Sequence, residues 1–178
     1  MEELRLWHPE DRNGAASHPA PGGAGGAAAS APVAGGLGCT VEFVLKTPSA
    51  AGAGRSALSV TVGLGGAPCL EFASDAAGDL TLHWSVADKP GGRWKRVPRG
   101  WKTLPDFSID AGGNAWETAF MRVPPALQGD GPAQTMRLEL AAGGLSKVGG
   151  VVFVLKLGDA GAYLNNGGDD FFVPLAAH

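Results

Sequence analysis

Leu80-Thr81-Leu82-His83-Trp84-Ser85-Val86 alternates without a break: Leu80, Leu82, Trp84 and Val86 share one parity, and Thr81, His83 and Ser85 the other. Successive side chains of a β-strand point to opposite faces, so period two marks a strand with one face in a core. The same rhythm recurs on both sides of this stretch. Val41, Phe43 and Leu45 alternate with Thr40, Glu42 and Val44, and Leu58, Val60 and Val62 with Ser59, Thr61 and Gly63. Met136, Leu138 and Leu140 alternate with Thr135, Arg137 and Glu139. Val151–Leu157 (VVFVLKL) is nearly all apolar and reads as a central strand covered on both faces. Phe171–Leu175 (FFVPL) reads as a short last strand, with Pro174 at its edge or end because proline cannot donate to a ladder.

Turn-forming residues separate these runs, among them Gly65–Pro68, Lys89–Gly92, Gly112–Asn114, Gly129–Pro132, Gly149-Gly150 and Asn165–Gly168. No stretch of ten or more residues combines a helical period with caps. The expected fold is all-β, an antiparallel immunoglobulin-like β-sandwich of about seven or eight strands. A closed barrel is the alternative.

The chain has 178 residues, enough for one domain, and 29 of them are Gly. Much of the glycine lies in Asn13–Gly38, which has almost no charge and few large apolar residues. Such a stretch cannot bury enough apolar surface to offset its ordering entropy. Residues 1–38 are therefore expected to be a disordered Gly/Ala/Pro-rich segment, and 39–176 the folded module. The formal net charge of −3 argues against a nucleic-acid partner. No window approaches the roughly 20 apolar residues that span a bilayer, so no membrane partner is expected. Met1–Asp11 is acidic and lacks the apolar region of a secretory signal. Cys39 and Cys69 make neither a metal spacing nor a CxxC pair, and buried free thiols are expected in place of a disulfide.

Catalytic sets are hard to find. His83 lies on the polar parity of its strand with no Ser, Cys or Asp motif beside it, which fits a structural histidine. Asp169-Asp170 is an adjacent acidic pair, and neighbours on a strand point to opposite faces, which suits a glycosidase acid/base pair poorly. The Gly pairs are not followed by a helix that would cradle phosphate. No metal, cofactor or catalytic residue is expected.

What remains is aromatic and amide chemistry. Trp94 and Trp101 sit in a basic, Pro-containing connection, Gly91-Gly92-Arg93-Trp94-Lys95-Arg96-Val97-Pro98-Arg99-Gly100-Trp101-Lys102. Sugar rings offer flat C–H faces on which a rigid aromatic stacks at low entropic cost, while Asn, Asp, Lys or Arg bond the hydroxyls. A loop Trp flanked by cations fits that chemistry; a Trp covering the end of the sandwich fits the same sequence. Asp159–Phe171 places Tyr163, Asn165, Asn166 and Asp169 in one turn region between two strong strands. A stacking Tyr with amides beside it, and plain turn chemistry, are both open readings.

Taken in order, Leu82-His83-Trp84-Ser85-Val86, Gly92-Arg93-Trp94-Lys95, Pro105, Val151–Lys156, Tyr163-Leu164-Asn165-Asn166-Gly167 and Asp169–Val173 resemble the starch-binding modules of carbohydrate-binding family forty-five. Those modules occur in plastid α-glucan water dikinases and some plastid α-amylases. The family often has Trp where Tyr163 stands and Gly where Ser85 stands. The resemblance implies non-catalytic binding of starch or another α-glucan, tethering an associated starch-metabolising activity to its substrate in the plastid stroma. A cytoplasmic location is the alternative. It implies carbohydrate contacts at Trp84 and Tyr163, with Trp94 joining them, and Lys95, Asn165, Asn166 and Asp169 as polar neighbours. Parity sets Trp84 on the apolar face, so a core role competes with a contact role there. The rival functions are a protein-interaction or structural sandwich, and the N-terminal fragment of a glucan dikinase or amylase, with a catalytic domain in cis or in trans.

Overall fold

A computed structural model describes residues 38–49, 52–63, 68–106, 108–158 and 162–175. The expected disordered segment lies outside the described residues except for Gly38, which opens the first strand. The strands are β1 (Gly38–Ser49), β2 (Gly52–Gly63), β3 (Cys69–Ser74), β4 (Leu80–Ala87), β5 (Lys102–Leu104), β6 (Ser108–Gly112), β7 (Ala115–Ala119), β8 (Met121–Arg122), β9 (Gln134–Glu139), β10 (Gly150–Leu157), β11 (Ala162–Leu164) and β12 (Phe171–Pro174). Two single-turn helices, α1 (Pro125–Gln128) and α2 (Ala142–Leu145), sit in connections.

All strand pairs are antiparallel, and they make two sheets. The first runs β1-β2-β3-β9-β5, with β8 sharing the β5 edge of β9. The second runs β11-β10-β4-β7-β6, with β12 sharing the β11 edge of β10. Along the described strands the chain changes sheet after β3, β4, β5, β7 and β9. The result is the expected immunoglobulin-like sandwich.

The core is where the two inner faces meet. Phe43 and Phe72 from the first sheet reach the ring of Phe153 on β10 at 6.0 and 5.5 Å, both edge-to-face. Phe171 stacks on Phe153 at 5.1 Å. Edge-to-face and offset pairs are the geometries that aromatic quadrupoles favour. Val151–Leu155 are buried at every position, as their unbroken apolar run predicts. Pro174 is exposed and is the last residue of β12.

The strand count exceeds expectation. β5, β6 and β7 were invisible to apolar alternation because hydroxyls occupy inward positions on each of them. Thr103 on β5 bonds Ser108 on β6 at 2.7 Å, and Ser108 bonds Thr118 on β7 at 2.8 Å. This chain crosses from one sheet to the other inside the sandwich. Its far end satisfies Trp84, whose Nε1–H donates to Thr118 Oγ1 at 3.1 Å. Trp84 is 2% exposed and belongs to the core cluster. Its expected role as a carbohydrate contact is therefore corrected: its parity places the ring inside, where it is roofed by the opposite sheet.

The thiol expectation is corrected in one respect. Both cysteines are free and Cys69 is buried, but Cys39 is exposed, near the start of the edge strand β1.

Truncating a buried Trp costs about 3–5 kcal/mol. Trp84→Ala is expected to lose that much unfolding free energy in urea, and Trp94→Ala, at a half-buried loop position, less than half as much. Equal losses would contradict the placement of Trp84.

Candidate functional site

The outer face of the second sheet carries the side chains of opposite parity to the core. Register fixes which of them meet. His83 on β4 lies opposite Glu117 on β7 and Val154 on β10. Lys156, two positions along β10, lies opposite Tyr163 on β11. His83 thus sits at the centre of this face, between an acid on one side and an aromatic and a cation on the other.

The loop after β4 closes over it. Lys95 N–H donates to Val86 O at 2.8 Å, which lays the segment around residues 94–96 alongside the end of β4. The Ser85 hydroxyl lies between the carbonyls of Lys95 and Asn114, 2.9 Å from the latter. A glycine at position 85 would offer no such tether. Trp94 is held against the sheet from two directions. Its ring is 5.4 Å from that of His83, tilted by 39°, and its Nε1–H donates to Asp170 Oδ2 at 2.9 Å. Tyr163 meets His83 edge-on at 6.3 Å. The Lys156 ammonium lies 5.4 Å from the Tyr163 ring centroid, within cation–π range.

Charge locks the cluster. The Glu117 carboxylate accepts from Lys156 Nζ and from His83 Nδ1, the latter at 3.0 Å. Burial pushes the His83 pKa below its ordinary value, and the hydrogen bond and charge of Glu117 only partly oppose this. Burial resists ionisation of Glu117, but hydrogen bonds from Lys156 and His83 outweigh it and hold its pKa below the usual value. Lys156 is raised: burial works against its charge, and hydrogen bonds with Glu117 and Tyr163 prevail. The favoured state is a neutral imidazole donating from Nδ1 to a carboxylate that also holds an ammonium.

Of the residues expected from sequence, Trp94 and Tyr163 come together, both against His83. Trp84 is on the other side of the sheet. Lys95 alternates with Trp94 and faces away, its ammonium bound to both oxygens of Asp88 at 2.7 and 2.6 Å. Asn165 closes its own turn, with Oδ1 accepting from Gly168 N–H at 3.0 Å. Gly167 and Gly168 complete that turn at φ of +68° and +107°, values costly for any other residue. Asn166 and Asp169 are exposed and pair through their backbones. Sequence reasoning missed His83, Glu117, Lys156 and Asp170. His83 and Lys156 shared the outward parity, which was the one available signal. Glu117 lies 34 residues from His83 in sequence and became a neighbour only through the β4–β7 register. Among the described residues no group of three or more His, Cys, Asp or Glu could hold a metal ion.

An unfolded histidine binds a proton near the ordinary value of 6.5, while the folded His83 ring does so only at lower pH. The site's contribution to stability is therefore complete above that value and falls as pH drops towards the folded pKa. Glu117 adds a second loss below its ordinary 4.5, as pH falls through its depressed folded value. Urea denaturation between pH 7.5 and pH 5 is expected to show wild-type stability falling with acidification. His83→Gln should flatten that slope, and an unchanged slope would contradict a buried neutral His83.

A family model of the Ig-like N-terminal domain of α-glucan water dikinase 1 matches residues 52–175. No curated protein and no solved structure matches the chain. Among the described residues no helix is long and apolar enough to cross a membrane. The match runs from β2 through β12 and takes in both sheets, every strand of the aromatic face and the loop that bears Trp94, so the chain belongs to the family of α-glucan water dikinase 1 Ig-like N-terminal domains.

Proposed function

We propose that this domain binds starch or another α-glucan without catalysis, through the outer face of the second sheet, and holds an associated starch-metabolising activity on its substrate. The observation that carries the reading is the convergence of Trp94 and Tyr163 on His83, with both rings half-buried and oriented before any ligand arrives. Rings fixed in this way lose little entropy on binding, which is where weak, shallow sites gain most. Asp170 and Lys156 stand at the rim as polar partners for hydroxyls, each already aligned by an aromatic neighbour. The exposed side chains of Asn166 and Asp169 extend the rim along the β11–β12 turn.

The family's printed description places such domains at the N-terminus of an α-glucan water dikinase, which supports glucan as the ligand class. The narrower assignments are part of the same proposal: a family forty-five type module and a plastid location.

The test is sedimentation with insoluble starch granules. Wild-type protein is expected in the pellet. Trp94→Ala and Tyr163→Ala should each weaken retention by about tenfold, about 1.4 kcal/mol. Wild-type protein remaining in the supernatant would refute the proposal.

A further inference from the structure

The connection between β4 and β5 carries Lys89, Arg93, Lys95, Arg96 and Arg99 against a single acid, Asp88, in a chain of net charge −3. It meets the turn after β9 at the end of the sandwich. Between them lies an open cleft of about 510 Å³, with Arg96, Arg99 and Lys147 on its walls beside Pro98 and Gly144. Lys95 also lines it but is taken up by Asp88. Arg96, Arg99 and Lys147 have no carboxylate partner among the described residues, and no carboxylate lines the cleft. Three like charges around one hollow repel one another unless an anion joins them.

The indole of Trp101 lies behind this wall. Its Nε1 is buried and has no hydrogen-bond partner. Gly144 stands between it and the hollow: a Cβ there would lie 3.0 Å from Trp101 Nε1 and 2.6 Å from the Pro98 side chain, so only glycine fits between the indole and the cleft.

We propose that this cleft is an anion site for a phosphate group, free or carried as a monoester on a sugar. Arg96 and Arg99 offer planar forks that match phosphate oxygens, Lys147 adds a point charge, and the Trp101 indole lies behind Gly144, where its signal reports on the cleft. The volume exceeds what inorganic phosphate fills and accommodates a hexose phosphate. The site is separate from the aromatic face. Trp94 and Lys95 are adjacent residues of an extended segment, so one turns to the sheet's outer face and the other to the cleft. The inference stands without the glucan-binding proposal.

The experiment is a heteronuclear NMR titration of the full ¹⁵N-labelled chain, with the Trp101 indole resonance assigned by its loss in Trp101→Phe. Four probes are added separately: inorganic phosphate, glucose 6-phosphate, glucose, and sodium chloride at matched ionic strength. Phosphate and glucose 6-phosphate are expected to move the Trp101 indole and Arg99 signals in a saturable way, and glucose and chloride to leave them in place. Whichever phosphate saturates at lower concentration identifies the source. Combining Arg96→Gln, Arg99→Gln and Lys147→Gln should weaken the response by at least about tenfold, with the remaining spectrum and the starch retention unchanged. No saturable response to either phosphate, or an equal response to glucose or chloride, overturns the proposal.

Discussion

The pairing of β4 with β10, with Trp84 facing Phe153 and His83 facing Val154, is the constraint on which the rest of the molecule depends. Side chains alternate across a strand, so slipping this register by one residue would exchange the faces of every position along the slipped strand. In the observed register Phe153 gathers Phe43, Phe72 and Phe171 inside, and Trp84 finds a buried hydroxyl for its indole. The same register sends His83 and Lys156 outward to meet Glu117. Fold and outer site are two consequences of one alignment.

The outer cluster is organised by a single carboxylate. Glu117 satisfies both the buried ring of His83 and the ammonium of Lys156. A hydrogen-bonded imidazole cannot rotate freely, and Trp94 and Tyr163 rest against that ring. Asp170 fixes the far side of Trp94, and Ser85 ties the loop's backbone to β4. An aromatic surface supported from beneath in this way presents a defined shape to solvent, which a shallow binding face needs more than it needs depth. The loop divides its labour: Trp94 rests against the sheet face, while Lys95 and Arg96 line the basic cleft at the end of the sandwich.

Much of the fold was legible before the structure. β1, β2, β4 and β9 carry clean apolar alternation, and β10 its unbroken apolar run, because each buries carbon against carbon. β5, β6 and β7 were not legible, because Thr103, Ser108 and Thr118 turn inward to satisfy one another and leave no apolar signature. For the site, Trp94 and Tyr163 were found from composition and resemblance. Parity alone argued that Trp84 is interior, and the structure agrees with parity. The charged support was hidden because it is assembled from β7, β4 and β10, whose adjacency is a property of topology and leaves no local trace. The glycine turn at 167–168 shows the opposite case, in which an evident local signal proves to be turn geometry that also employs Asn165.

The central claim is that a glucan lies on the outer face of the second sheet, over the rings supported by His83. The most direct measurement is a set of intermolecular nuclear Overhauser contacts between bound maltoheptaose and aromatic side chains of the intact chain. The account predicts contacts from sugar-ring protons to Trp94 and Tyr163 and none to Trp84. Contacts confined to other aromatics, or a saturating oligosaccharide that touches neither Trp94 nor Tyr163, would contradict it.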